Sequence, residues 1–158
     1  GWAGSPRLFS GWRMGWSFPH KGAKDIQDTM SDEASGSKKI LDRWIEGVNG
    51  GNLADVQGLY CEEAVLVPTF SREILTTPEG IAAYFVKITE GRQVRVAVRE
   101  ETVVERACGT GTRVIAGIYD WYITEAGEER SFAARFSYVL EPLTQGPISH
   151  HHSSLLPE

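Results

Sequence analysis

The chain has 158 residues, 41% hydrophobic and 23% charged, a composition expected of one soluble domain of common size. No window approaches eighteen uninterrupted apolar residues, which excludes a membrane-spanning helix, and 17 Gly with 7 Pro are too scattered for a collagen-like or low-complexity chain. The net charge of -5 is unevenly placed: Arg7, Arg13, Lys21 and Lys24 open the chain with no acid among them, and 12 bases then face 21 acids, so the body repels phosphate backbones and nucleic acid is not an expected partner.

Residues 1–36 read as an N-terminal arm or linker, disordered, because Gly, Ser, Pro and Trp follow one another there with neither helical nor strand period. The arm lacks the apolar run of a secretory signal. Trp2, Trp12 and Trp16 could dock on the body or on a neighbour, whereas MSDEASGS from Met30 has the look of an ordinary polar N-terminus preceded by an arm without function. Residues 37–158 form the patterned domain. Ile40, Leu41, Trp44, Ile45 and Val48 recur at helical spacing, with Ser37 as N-cap and Asn49-Gly50-Gly51 as the stop. A short second helix is predicted from Asn52 to about Tyr60, and a short strand over Ala64–Pro68. Thr77-Pro78 opens a third helix that turns Ile81, Tyr84, Phe85 and Ile88 to one side.

After Gly91 the period becomes two. Strands are predicted over 92–106, 111–124, 129–140 and 148–154, the second and third joined at Glu125-Ala126-Gly127-Glu128. The resulting class is α+β, with N-terminal helices packed on a strongly bent antiparallel sheet. Cys61 and Cys108 have no metal-ligand spacing and are expected to be buried reduced thiols, which fits a cytoplasmic compartment.

The pieces RWIEGVNGGNLADVQGLYCEEAVLVPT, TTPEGIAAYF, ARFSYVL and ISHHHSSLLP together resemble the NTF2-like superfamily of the SnoaL-like and DUF4440 type. The terminal HHHSS-x-x-P after an ARFSYV strand is most similar to the association (hub) domain of calcium/calmodulin-dependent protein kinase II, and no kinase motif accompanies it. The resemblance implies a cone-shaped domain, self-association as a homodimer or larger ring, and a pocket whose arginines hold carboxylates in the kinase hub. Carried onto this sequence, Arg135 falls on one such arginine, while Tyr119 and Ser153 occupy the positions of two others. No cofactor and no membrane partner are implied.

Alternation divides the last strands into two faces. The face holding Arg113, Tyr119, Arg135, His151 and Ser153 is expected to line the pocket, with Tyr84 reaching in from the third helix, and the ligand would be a small carboxylate or a hydrophobic molecule. This face carries no carboxylate, so the expected role is a non-catalytic hub. The opposite face supports an alternative: Asp120 with His150 or His152 as the proton-transfer pair of an isomerase, dehydratase or cyclase. A metal on His150 and His152 is not expected, since zinc sites take three or four protein ligands and none follows nearby.

Overall fold

The computed structural model describes residues 23–158, with side chains from Gly36 onward. The tryptophans of the leading segment lie outside the described residues. Helix α1 spans Ala23–Asn49 and runs through Ser37, which is therefore an interior residue rather than the predicted N-cap. Gly36 explains the small residues there: a Cβ on it would sit 3.2 Å from the Pro142 Cβ, so a larger side chain would push the helix off the loop between the last two strands. Ile40, Leu41, Trp44 and Val48 are buried as the spacing predicts.

Helix α2 is shorter than predicted, Leu53–Gly58, and strand β1 is longer, Tyr60–Val67. Helix α3 covers Pro78–Thr89, and the Thr77 side chain accepts a hydrogen bond from the Gly80 amide at 3.1 Å. Its buried residues are the predicted four, Ile81, Tyr84, Phe85 and Ile88. Strands β2 (Gln93–Ala107), β3 (Arg113–Glu125), β4 (Glu128–Leu140) and β5 (Ile148–Leu155) form an antiparallel meander.

The sheet order is β1-β5-β4-β3-β2, and β1 runs parallel to β5, so the sheet is mixed rather than wholly antiparallel. The chain leaves β1, crosses through α3 to the far edge at β2, and returns strand by strand until β5 meets the vacant side of β1. At Gly117 of β3 a Cβ would lie 2.9 Å from the Phe136 ring, so only glycine lets that ring cross the sheet. A register shift between Arg99 and Val104 bends β2 opposite this point, where the Thr102 hydroxyl accepts the Ile118 amide at 2.8 Å in place of a ladder bond. The concave face so made packs on the helices. Asn49 at the end of α1 fastens them to the edge, donating to the Val96 carbonyl at 3.0 Å and accepting the Val96 amide at 2.7 Å.

The two faces differ from the predicted division on β4. Tyr119 is in register with Ala134, Gly117 with Phe136 and Ile115 with Tyr138, whereas Arg135 lies opposite Ile118. Cross-strand partners share a face, so Phe132, Ala134, Phe136 and Tyr138 point inward and Arg135 points out. Both cysteines are free, but Cys61 is only half-buried and Cys108 is exposed, which corrects the expectation of buried thiols. Among the described residues no helix is long and apolar enough to cross a membrane.

Candidate functional site

The concave face holds a chain of neutral hydrogen bonds. The Trp44 indole donates to the Tyr60 hydroxyl at 2.9 Å, Tyr60 meets His151 Nδ1 at 2.8 Å, and His151 Nε2 meets the Tyr119 hydroxyl at 3.2 Å. An indole N–H can only donate, so the Tyr60 oxygen accepts it and its own proton goes to Nδ1. The imidazole proton then sits on Nε2 and is donated to Tyr119, whose hydroxyl proton points onward. Beyond it Thr69 and Ser153 share a hydrogen bond between their hydroxyls.

Burial fixes the charge states of this chain. It holds the His151 pKa well below the usual imidazole value, with His150 and His152 adding to the effect, so the ring is neutral. Burial likewise raises Tyr60, Tyr119 and Tyr138 above the usual phenol range. The Tyr138 ring stacks on His151 at 3.9 Å between centroids, and Trp44 stacks on Tyr119 at 5.8 Å. These rings nearly fill the interior. The void left among Trp44, Tyr119, Trp121, His151, Ser153 and Tyr84 measures about 10 Å³, too small for any organic ligand.

The space that can take a ligand lies next to it. A groove of about 810 Å³ opens between α3, the loop after β1 and the tip of the β3–β4 hairpin. Phe70, Leu75, Ile88, Ile123 and Phe132 supply its apolar walls, and Tyr84 separates it from the small void. Its charges are Lys87, Arg92 and Arg130 against Glu73, Glu125 and Glu128, three of each sign. Arg92 pairs with Glu125 at 3.3 Å and Arg130 with Glu128 at 3.7 Å. The Tyr84 hydroxyl is buried and closes no hydrogen bond, although the Phe70 backbone lies close enough to restrain its pKa, which burial pushes up to about 12.

The expected pocket residues therefore separate. Tyr119, His151 and Ser153 do come together on the concave face, and Tyr84 lies beside them. Arg135 is exposed on the opposite face and reaches neither space. Arg113 does face inward, but six residues along β3 from Tyr119, about 20 Å away at strand rise. It is buried there with Nη2 3.6 Å from Glu105 Oε2, and burial outweighs this arginine in raising the Glu105 pKa. The alternative pair is not assembled. Asp120 lies on the convex face, where Arg99 grips both its oxygens at 2.8 and 2.9 Å and lowers its pKa. His152 is in register with Ser137 and so with Ala116, four residues or about 13 Å along β3 from Asp120, and His150 lies farther still.

Trp44 and Tyr60 are hydrogen-bonding members of the chain where apolar packing was expected of them, and the groove walls at Phe70, Ile123 and Phe132 were not anticipated. The signal available for Phe70 was its place between Pro68 and Thr77 with Leu75, which pairs back onto Leu66. Among the described residues no group of three or more His, Cys, Asp or Glu is placed to hold a metal ion.

Helices on the concave face of a bent sheet, with a groove at the mouth, define an NTF2-like α+β domain. An NTF2-like protein of Novosphingobium aromaticivorans with a cystatin-like fold has 10% identity and a TM-score of 0.65, over 87% of this chain and 92% of that one. A ketosteroid isomerase-like protein of Erwinia carotovora atroseptica has 13% identity and a TM-score of 0.62, over 77% of this chain and 94% of that one. At these identities the likeness is one of fold. A candidate calcium/calmodulin-dependent protein kinase II association domain from Xanthomonas campestris reaches 26% identity and a TM-score of 0.67, over 90% of this chain and 94% of that one. The family profile of the calcium/calmodulin-dependent protein kinase II association domain matches residues 34–157, and the chain belongs to that family. Among curated proteins no sequence match was found.

Proposed function

We propose that this domain is a non-catalytic self-associating unit that joins copies of itself through the convex face of its sheet and keeps a small-molecule site in the groove. The observation that carries the reading is the convex face itself. Val65, Val67, Ala116, Ile118, Ala133 and Val139 lie there half-exposed, and none of the residues on that face is fully buried. The helices all pack on the other side, and membership of an association-domain family supports a second copy as the occupant. Arg95, Arg99 and Arg135 beside Asp120 give this face charges of both signs, which a two-fold partner can match.

Light scattering after size-exclusion chromatography tests this at tens of micromolar. The expected result is a dimer or larger ring, and a monomer overturns the reading. Ile118→Asp sets like charges against one another near the centre of the face and should weaken association by about tenfold or more. Its thermal midpoint at high dilution should stay close to that of the parent chain.

A further inference from the structure

We propose that His150 and His152 chelate one zinc-type divalent cation on the convex face, and that the same pair on a second copy completes its coordination, four imidazoles to one ion. This rests on reading the convex face as the self-association surface and adds a site that such a contact would create. Alternation along β5 parts the three successive histidines. His151 turns inward, where Tyr60 and Tyr119 occupy both its ring nitrogens. His150 and His152 turn outward, the first half-buried and the second exposed. Two residues apart on one face, their backbones lie about 6.5–7 Å from each other. Two imidazoles close that span by swinging toward a shared ion, each at about 2.0–2.1 Å from the metal. No hydrogen bond or ion pair with another described residue engages either outward ring. Burial, and then the nearness of His152, lower the His150 pKa, so this ring is neutral near pH 7 and keeps a nitrogen lone pair for a metal.

The surroundings of the pair call for a shared ion. Its strand neighbours are Val65 and Val67 on β1 and Ser137 and Val139 on β4. None of them is charged, and none adds an imidazole, thiolate or carboxylate. The nearest charge along this face of β4 is Arg135, one step past Ser137 and opposite Ser154. Imidazole suits zinc, and closed zinc sites take four ligands, of which one chain offers two here. A two-fold contact presents the same patch from the other side and brings the missing two. The half-exposed valines of both copies then ring the ion and shut out water.

The test uses the full chain, stripped with a chelator, and zinc chloride alone as the probe, with calorimetry for affinity and light scattering for mass. One zinc should bind per two chains. Zinc should also tighten self-association at least about tenfold, because an ion held by two copies favours the dimer over the monomer. His150→Gln and His152→Gln should each weaken zinc binding by about 100-fold or more, a larger loss than removal of an outer-shell partner brings. His20→Gln and Cys108→Ser change the chain's remaining histidine and its exposed thiol, and both should bind zinc as the parent does. One zinc per chain, or binding that persists in both β5 variants, overturns the shared site, as does binding lost in either control. A chain that self-associates without taking up zinc overturns the metal site and leaves the self-association reading standing. A chain that stays monomeric with and without zinc overturns both.

Discussion

The two faces of the sheet are made from the same strands, yet they obey different physical rules. On the concave face, away from Arg113 at its far end, the polar groups are neutral, and those of Trp44, Tyr60, His151 and Tyr119 join in one chain of rings. The convex face does carry charged groups, and they remain within reach of water: Arg99 clamps Asp120, and Arg95 lies 3.9 Å over the Tyr122 ring. Neutral groups can be desolvated at the cost of a hydrogen bond each, whereas charges require either solvent or a partner. The concave face is thus built to be closed once, at folding, whereas the convex face keeps its charges near water, as the proposed self-association surface requires.

Mutations can break this contrast from the inside first. Trp44→Ala removes a fully buried ring and the donor that starts the chain, and should cost about 3–5 kcal/mol in urea unfolding. Tyr60→Phe keeps the ring but leaves the Trp44 N–H and His151 Nδ1 without their partner, a loss of about 1–3 kcal/mol by the same measurement.

Titration gives the next effect. His151 is held neutral when folded, with its pKa lowered, and titrates near 6.5 when unfolded. The unfolded chain therefore binds this proton first. Stability is full above about pH 6.5 and falls as pH drops below it, by at most about 1.4 kcal/mol per pH unit from this group. Unfolding curves collected from pH 7.5 to 5 should show that slope, and His151→Gln should flatten it.

The convex face should respond least. Asp120 has its pKa lowered by Arg99, so its contribution is present above the ordinary carboxylate range and lost as pH falls through the lowered value. Because the pair is partly exposed, Asp120→Asn should move the thermal midpoint at pH 7 by about 1–3 °C. A shift as large as that of Tyr60→Phe would erase the distinction between the faces.

Much of this contrast was legible in the residues. Period two marked β2 to β5, Thr77-Pro78 placed the start of α3, and the apolar spacing of α1 named its buried side. The orientation of β4 was misread, although its own pattern was sound: Phe132, Ala134, Phe136, Tyr138 and Leu140 alternate with Arg135 and Ser137. The resemblance to an arginine-lined pocket drew Arg135 inward against that alternation. The hairpin could have decided it. Ala126 and Gly127 take φ of 51° and 81°, a two-residue turn that pairs Glu125 with Glu128. Odd residues of β3 must then face even residues of β4, which sends Arg135 out. The start of α1 and the groove were harder to read. No local signal tells a helix to continue through Ser37, and a groove arises where a loop, a helix and a hairpin tip converge from distant parts of the chain.

The Asn49 clasp bears on how the proposed self-association could be arranged. By occupying both backbone groups of Val96, it takes a rung of the β2 border that an incoming strand would otherwise use. Sheets that lengthen by adding strands side by side grow into fibrils without limit. With that rung taken, strand addition at this border is hindered, which favours the face-to-face contact proposed above over open-ended growth.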